Sequence, residues 1–498
     1  MTETELINMR ITAEAGLNNS SIIKTLIDED VLSRKKEKMA EGERYYVGEH
    51  DILNKDFRNS YLSSTVESPE GTERERHEIF RNPNRSNQHN VNAFHAILVD
   101  QKAAYLVGRP PTVTVNGAER SPKLRQFEDI ISSAAKEEFN EVFYNMVVGA
   151  SNKGTEFLHF YYDGGDLKYT IVPSEEIIPV YDTEYEKDLI EVIRYYTITV
   201  IKGKDRVLRK KVEWWTKDTV TYFIEDERGN FILDRNAGRN PTPHFWEVKK
   251  VNGVETERQA HSWGRVPFIV LKNNTRETTD LQKVKNLIDG YDLISSQGTN
   301  DLLDLVALFW SIQGYGGETA GAIARKLQVN RAVNISDSSG AISASQVDIP
   351  VEGRLSWLNM LRRDIFRFGM GVDTDNEKLG NASGVSLKFQ YTQLDLKANS
   401  MTPMLKKAIK DFFWFITEDV NRKNGTDFDS SLISVAINKT MITNDYEIVE
   451  MIGMSKDLVS HKTLLARHPF VDDANEEIKE FLNQEEKEEK EEAEKWTN

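Results

Sequence analysis

A polar stretch at 373–384, DTDNEKLGNASG, comes nearest to a metal site in this sequence. Asp373 and Asp375 occupy the first and third positions of a calcium-binding loop pattern. Such a loop needs a glycine at its sixth position for a sharp turn and a glutamate at its twelfth for bidentate binding. The sequence has Lys378 and Gly384 at these positions. The pattern fails there, and we expect no bound cation.

Other residues that could do chemistry are better explained as structural. Glu175 and Glu176 are neighbours, whereas an acid/base pair needs carboxylates held across a cleft, so we interpret them as a turn before a strand. His461 and His468 are interpreted as surface or cap residues. The sequence contains no Walker A, HExxH or GxSxG pattern and no cysteine. We therefore expect a protein that is not an enzyme and needs no cofactor.

The stretch FHAILVDQKAAYLVGRPPTVTV at 94–115 raises the same question for Asp100 and Lys102. Helical spacing places an apolar stripe from Ala96 to Leu106 on one face and both charged residues off that face. Glycine and proline then end the helix and start a strand. We interpret the stretch as architecture, with an ion pair from one of the two charged residues to a neighbouring element.

The length and net charge of the chain limit the classes of protein to which it can belong. With 498 residues the chain can form several domains. A formal net charge of −16 disfavours a general grip on nucleic acid, because affinity for DNA comes mostly from neutralising phosphates. The same charge suits a surface that DNA must slide past. The start, MTETELINMR, has no leader pattern, and the apolar run at 305–312 is too short to cross a bilayer, so we expect no membrane association.

Periodicity predicts the elements of the first half of the chain. Residues 1–40 are expected to be helical and polar, 54–90 a polar loop, and 122–149 one helix. Alternating runs over 155–235 predict an antiparallel meander that begins with a hairpin around Asp163-Gly164-Gly165-Asp166.

Two aromatic pairs in this meander, Tyr195-Tyr196 and Trp214-Trp215, could form a base-stacking platform. Adjacent strand residues face opposite sides of a sheet. One member of each pair is therefore expected in the core.

The second half suggests a stalk with a compact tip. Helical patterns at 276–305 and 352–369 flank a small insertion of strands and one helix, so the two helices must run back beside each other. A polar loop follows at 371–386. A long helix then ends at Gly425, and Pro403 should kink or break it. A short strand, further helices and a charged tail complete the chain.

Seven segments in order along about 20–483 resemble the portal proteins of tailed bacteriophages, most of all the portal group of long-tailed phages of Gram-positive bacteria. The segments are LVDQKAAYLVGRPPTVTV, SNKGTEFLHFYYD, PSEEIIPVYD, WGRVPFIVLKNN, NLIDGYDLISS, LDLKANS and DFFWFITEDV. Each motif alone is weak, and their shared order makes the resemblance specific.

The resemblance implies an α+β portal fold with a wing, a two-helix stem, a small α/β clip, a long wing helix and an α-helical crown. The implied division is an N-terminal arm and wing (1–275), stem helix 1 (276–305), the clip (306–350), stem helix 2 (351–370), a tunnel loop (371–386), the long wing helix (387–425), and the crown with its acidic tail (426–498).

The resemblance also places candidate site residues. Polar residues of the tunnel loop would meet DNA, and two glycines would act as its hinges: Asp375, Asn376, Lys378, Asn381 and Ser383, with Gly380 and Gly384. Lys378 either contacts phosphates or pairs with Asp375 or Glu377. In the clip, Glu318, Arg325 and Lys326 are candidate partner contacts, and a solvated helix face is the alternative interpretation.

The function implied is a ring, most often of twelve copies, at one capsid vertex of the virion, assembled in the host cytoplasm. Double-stranded DNA would pass through it. Its other partners would be the terminase large subunit, a head-completion adaptor protein, and the scaffolding and major capsid proteins. Two alternatives stay open: a metal-dependent nuclease or hydrolase using clustered carboxylates, and an oligomeric scaffold that never touches DNA.

Overall fold

The protein was analysed as a computed structural model. The structure describes residues 19–67, 73–81, 85–117, 121–135, 137–182, 188–251, 254–304, 309–313, 341–345, 351–374, 384–440, 445–471, 474 and 477–482. These residues form helices and antiparallel sheets in two compact units, which confirms a mixed helix-and-sheet protein. The first unit comprises the described parts of 19–46, 95–282 and 366–482, and the second those of 47–94 and 283–365.

The helices are numbered in chain order. They are α1 (Asn19–Val31), α2 (Arg34–Tyr46), α3 (Phe94–Val107), α4 (Pro122–Ala134), α5 (Glu137–Lys153), α6 (Lys285–Asp304), α7 (Val351–Gly369), α8 (Gly384–Asn424), α9 (Asp445–Met454) and α10 (His461–Leu465).

The strands are numbered in the same way. They are β1 (Asn59–Glu67), β2 (Glu73–Arg81), β3 (Thr112–Val115), β4 (Thr155–Asp163), β5 (Asp166–Val172), β6 (Ile177–Tyr181), β7 (Leu189–Lys202), β8 (Asp205–Trp215), β9 (Thr219–Glu225), β10 (Phe231–Leu233), β11 (Thr242–Pro243), β12 (Phe245–Val251), β13 (Val254–His261), β14 (Phe268–Lys272), β15 (Phe309–Gln313), β16 (Ala341–Ser345) and β17 (Ile433–Ala436).

Two sheets dominate the first unit. One has the order β10-β9-β8-β7-β6, with β11 added beside β9, and the other has the order β14-β4-β5. The predicted hairpin is confirmed, because β4 and β5 pair at Asp163 and Asp166. Gly164 and Gly165 form its turn with φ of 64° and 99°, angles that favour glycine.

The main core of the first unit surrounds the long helix α8. Phe412, Phe413 and Phe415 are fully buried there, in a cluster that also contains side chains from α3, α4, α5, β4 and β14. Helix α8 runs unbroken through Pro403, so of the predicted kink or break the break does not occur. It begins at Gly384, three residues before the expected start.

The aromatic pairs of the meander alternate as predicted. Tyr195 and Trp215 are 9% and 6% exposed, whereas Tyr196 and Trp214 are half-buried. Each half-buried ring gives its polar atom to a carboxylate: the Tyr196 hydroxyl donates to Glu213 over 3.0 Å, and the Trp214 indole nitrogen donates to Glu191 over 2.8 Å. Both pairs therefore belong to the sheet, as in the structural interpretation.

Several boundaries differ from expectation. The stretch 54–90 is not all loop, because β1 and β2 pair over nine residues each. The helix predicted at 122–149 is two helices, α4 and α5, and the polar N-terminal helix is likewise interrupted at 32–33, between α1 and α2. The helix predicted from 276 begins at Lys285, after a short 3-10 turn at Leu281–Lys283.

The second unit holds the paired helices. Helix α6 and the first part of α7 belong to it, together with the hairpins β1-β2 and β15-β16 and the extended segment before α3. The two strands predicted around the tip are present as β15 and β16. The predicted helix of the insertion and its remaining strand lie outside the described residues.

Candidate assembly interface and buried anchors

The predicted site residues fall almost entirely outside the described residues. This holds for the loop residues Asp375, Asn376, Lys378, Gly380, Asn381 and Ser383 and for the tip residues Glu318, Arg325 and Lys326. Gly384 is the first residue of α8, where the loop ends. Their roles stay predictions, and the described structure bears on the elements that carry them.

The two helices of the second unit run antiparallel, as predicted. Arg354 of α7 forms an ion pair with Asp301 of α6. Closer to the start of α6, a methyl group at Gly290 would lie 3.8 Å from Leu361. The pairing therefore extends over two turns or more of both helices.

The ends of these helices nearest the 305–350 insertion expose large apolar side chains. The exposed fractions are Leu302 62%, Leu303 51%, Val351 60%, Leu355 57% and Trp357 57%. Isolated exposed apolar residues are normal on protein surfaces, but several together mark an interaction site. In a single chain these side chains are mostly uncovered.

The buried face of α6 is polar, which the sequence analysis did not foresee. Asp292, Ser296 and Asn300 are at most 4% exposed and recur every four residues. They lie under the extended segment 86–92, which we call the strap. Their spacing was visible in the sequence, but polar residues at helical spacing ordinarily indicate a solvated face.

Each buried polar residue of α6 receives a backbone N–H from the strap. The rungs are Ser86 to Asp304 (2.9 Å), Gln88 to Asn300 (2.7 Å), Asn90 to Ser296 (2.9 Å) and Asn92 to Asp292 (2.9 Å). Four residues of helix rise about 6.0 Å and two residues of extended chain about 6.6 Å, so the two repeats stay in step. The match turns four separate bonds into one continuous ladder.

The ladder ends at a buried pair. The imidazole Nδ1 of His50 lies 2.5 Å from an Asp292 carboxylate oxygen, and both residues are at most 1% exposed. The other Asp292 oxygen accepts the Asn92 backbone and side-chain N–H groups. Asp292 is thereby held on three sides, as a buried carboxylate requires.

A second buried cluster lies in the first unit, around Asp280. Lys102 of α3 and Lys397 of α8 approach its carboxylate to 3.2 and 3.1 Å. Asn273 donates to the other carboxylate oxygen over 2.9 Å. Burial alone would raise the pKa of Asp280, but the two ammonium charges more than reverse this and lower it well below its ordinary value. The carboxylate is therefore charged and fixes the backbone just before α6.

The charged residues of 94–115 act as architecture, as interpreted. The Asp100 carboxylate accepts the Tyr46 hydroxyl over 2.8 Å. Lys102 makes the predicted ion pair but does not point away from the core. It is 1% exposed and also donates to Ser151 over 3.0 Å. Its long stem carries the ammonium group to buried polar partners, so Lys102 is part of the core, which its position off the apolar stripe did not predict.

A third cluster, around Glu156 of β4, contains a strongly perturbed acid. Its side chain is 2% exposed, lies 2.6 Å from Lys153 and accepts the Ser174 hydroxyl over 3.1 Å. Burial raises its pKa to about 7, against the opposing charge of Lys153. Glu175 continues this cluster at 3.5 Å from Lys153, in the short turn before β6 that the sequence predicted.

These clusters are cation–carboxylate networks that join distant segments. Within the part of the chain that the structure describes, no three His, Cys, Asp or Glu side chains are grouped to hold a metal ion. In the same part, no helix is both long and apolar enough to cross a membrane. The described geometry combines paired helices, sheets and buried ionic anchors.

The described residues thus contain a pair of antiparallel helices with exposed apolar side chains at one end, and an unbroken helix of 41 residues. A family model described as phage portal protein, SPP1 Gp6-like, matches residues 27–491. The chain therefore belongs to the SPP1 Gp6-like family of phage portal proteins, as the ordered motifs indicated.

Two curated relatives agree with this assignment. The portal protein of Bacillus phage SPP1 is 30% identical over 495 residues, which cover 97% of this chain and 91% of the relative. The portal protein of Clostridium phage phiCD119 is 29% identical over 482 residues, which cover 93% of this chain and 95% of the relative. The similarity thus spans nearly the whole length of all three proteins.

Proposed function

We propose that copies of this chain close into a ring, with twelve as the expected number, that conducts double-stranded DNA through one vertex of the capsid. Membership of the portal family supports this function. The observation that carries the ring is the cluster of exposed apolar side chains where α6 ends and α7 begins. A ring covers the same patch on every subunit by rotation, through a heterologous interface that closes on itself.

The energetics favour association through this patch. Burying a large apolar side chain fully contributes roughly 1.5–3 kcal/mol, so the remaining half of each side chain is worth on the order of 1 kcal/mol. Five such side chains per subunit supply several kcal/mol before the costs of association. Leu355 and Trp357 are the residues that we expect to contribute most.

The negative net charge of the chain favours a channel through which DNA slides over a protein that binds DNA tightly. Each subunit carries a formal charge of −16, so a ring repels the phosphate backbone at long range and leaves DNA free to slide. The loop at 371–386 would supply the polar contacts along the path, with Asn376, Asn381 and Ser383 uncharged and Lys378 as its cation. Gly380 and Gly384 would let this loop shift.

The remaining partners follow from the same plan. The tip at 306–350 would dock the terminase large subunit during packaging and a head-completion adaptor afterwards, through Glu318, Arg325 and Lys326. The wing and crown would face the scaffolding and major capsid proteins. The assembled ring would reside in the virion after assembly in the host cytoplasm.

Assembly is tested on the purified chain by native mass spectrometry and by negative-stain images viewed down the particle axis. We expect a closed ring with a central hole, and expect Trp357→Glu to shift it to monomers. Leu208→Glu is the matched control, because Leu208 is 69% exposed on β8 and lies outside the paired helices. Monomers of the unmodified chain under all conditions would refute the ring.

The conduit is tested by replacing 373–384 with a Gly-Ser linker of equal length. We expect rings to form normally and DNA packaging to fail, because the linker keeps the connection and removes the polar contacts. A variant that packages DNA at the normal level would refute a working loop and favour a plain scaffold.

A further inference from the structure

Helix α7 ends in a strained backbone turn. The Gly371 N–H donates to the Phe366 carbonyl over 2.9 Å, which closes the helix with a six-residue loop. Met370 lies inside this closure with φ of 56°. Glycine usually occupies such a left-handed position, since other residues adopt it at a cost. The glycines stand on either side of it instead.

The displaced glycines allow close packing against α3. A methyl group at Gly369 would lie 2.5 Å from a Leu98 methyl, and one at Gly371 would lie 2.3 Å from the other Leu98 methyl. Neither distance is compatible with a Cβ atom. The backbone of 369–372, which we call the root, is therefore seated directly on α3 at the cost of a strained Met370.

Three hydrogen bonds, two of them neutral, tie the root down. Gln101 of α3 donates its side-chain N–H to the Val372 carbonyl over 2.7 Å, and its side-chain oxygen accepts the Val372 N–H over 2.9 Å. Lys397 of α8 donates to the Gly369 carbonyl over 3.0 Å. Each neutral hydrogen bond shifts the equilibrium between the bound and the released root by roughly two- to tenfold. These bonds, which we call the tether, therefore hold the root but can still break.

The neighbouring anchor at Asp280 is of a different kind. Its carboxylate is held by the charged ammonium groups of Lys102 and Lys397, and its backbone N–H donates to the Ser151 carbonyl over 2.9 Å. Lys397 can break its hydrogen bond to the Gly369 carbonyl and keep its ion pair with Asp280. Losing Asp280 would instead leave two buried cations facing each other. The root is therefore the contact that releases first.

We propose that Gln101 and Lys397 are positioning residues whose hydrogen bonds hold the root. These bonds set the direction in which the chain leaves α7, and they open independently of the Asp280 anchor. This inference deepens the proposed conduit, since the root leads into the polar segment assigned to the DNA path. Strain at Met370 favours opening, and the two bonds to Gln101 oppose it.

Amide hydrogen exchange on the full-length chain tests the tether without any assay of DNA. We expect the Val372 amide to exchange at least tenfold faster than the Asp280 amide. In Gln101→Leu, loss of both bonds should accelerate Val372 by roughly 5- to 100-fold and leave Asp280 within twofold. A Val372 rate within twofold of the unmodified chain would overturn the proposal.

Two further variants separate hydrogen bonding from packing. Gln101→Glu keeps an acceptor for the Val372 N–H and should exchange more slowly at Val372 than Gln101→Leu does. Asp100→Asn changes the neighbouring residue, which bonds Tyr46 and not the root, and should leave Val372 unchanged. Equal acceleration in all three variants would show general loosening of α3 and refute the specific role of Gln101.

A packaging assay, in a phage supplied with each variant, tests the functional half. We expect Gln101→Leu to form rings and to lower the yield of filled capsids at least fivefold, with Asp100→Asn normal. Faster exchange with normal packaging would refute the role of the root in the DNA path and leave the conduit intact. Failure of the unmodified chain to package would refute the proposed function itself and not the tether.

Discussion

Asp280→Asn is the substitution for which the structure predicts the largest penalty. The local charge around this residue is the sum of two lysines and one carboxylate, or +1. Removing the carboxylate charge raises the sum to +2 within a site where Lys102 and Lys397 are 1% and 8% exposed. Lys102→Met changes the same site to zero and leaves Asp280 paired with Lys397.

The two substitutions should therefore differ in size. Breaking a buried ion pair by removing one partner costs about 3–5 kcal/mol, and an asparagine oxygen that still accepts hydrogen bonds favours the lower end, about 3 kcal/mol. Lys102→Met loses its bonds to Ser151 and Asn273 and should cost about 1–2 kcal/mol. Because Lys102→Met removes one of the two facing cations, the double variant should cost less than the sum.

Thermal unfolding followed by tryptophan fluorescence measures these effects, since the chain has eight tryptophans. The unit that contains Asp280 has more than 300 residues, so about 3 kcal/mol corresponds there to a fall in Tm of roughly 4 °C. Asp100→Asn is the matched control, because the same change at an exposed position that accepts one tyrosine hydroxyl should move Tm by little. Circular dichroism provides a second probe of the same transition.

The reasoning fails if Asp280→Asn lowers Tm by no more than Asp100→Asn, or if Lys102→Met is the costlier of the two. Either result would mean that the lysines are not both charged around Asp280. A double variant whose cost equals the sum of the single costs would show that Lys102 and Asp280 do not interact.

Three further predictions concern other buried contacts. Burial raises the pKa of Glu156 to about 7, so the folded chain binds this proton more tightly than the unfolded chain does. The free energy of unfolding therefore falls as pH rises from about 4.5 to 7, by at most about 3 kcal/mol. Glu156→Gln should therefore reduce the difference in Tm between pH 5 and pH 8, and an unchanged difference would contradict the assignment. Asn300→Leu should cost about 2–3 kcal/mol, because it leaves the Gln88 N–H and carbonyl without their partner. A lower Tm and faster proteolysis of the strap would measure this cost. Gln297→Leu, at an exposed position, is the control, and equal effects of the two substitutions would refute the ladder. Gly149→Ala should destabilise by about 1–3 kcal/mol, because its methyl group would lie 1.8 Å from a Glu156 oxygen, and a Tm at or above that of the unmodified chain would contradict it.

Local patterns predicted the elements whose causes are local. The Asp-Gly-Gly-Asp turn, the strand Thr112–Val115 and helix α7 lie where turn chemistry and periodicity placed them. Core sides of the meander followed from alternation alone. In each case the signal and the structure it specifies lie within about twenty residues of sequence.

The features that the sequence did not predict depend on contacts between distant segments. Lys102 is buried only because Asp280 and Asn273, more than 170 residues away, receive its charge. The strap has no regular secondary structure, as its polar sequence predicted, but its contacts with α6 were missed because those partners lie more than 200 residues further along. A polar residue whose partner is so remote gives no local sign that it will be buried.

The ladder between the strap and α6 limits the substitutions and insertions that the strap can accept during evolution. The helix contributes side chains to it, whereas the strap contributes the backbone N–H groups of Ser86, Gln88, Asn90 and Asn92. The Asn90 and Asn92 side chains also donate to α6, so these two positions are restricted, whereas most side chains are tolerable at Ser86 and Gln88. Proline is forbidden at all four positions, because proline has no N–H to donate. A single-residue insertion between Gln88 and Asn90 would reverse which N–H groups face the helix and disconnect one half of the ladder. An insertion of two residues could be absorbed as a bulge, so we expect length variation in this segment to come in even steps.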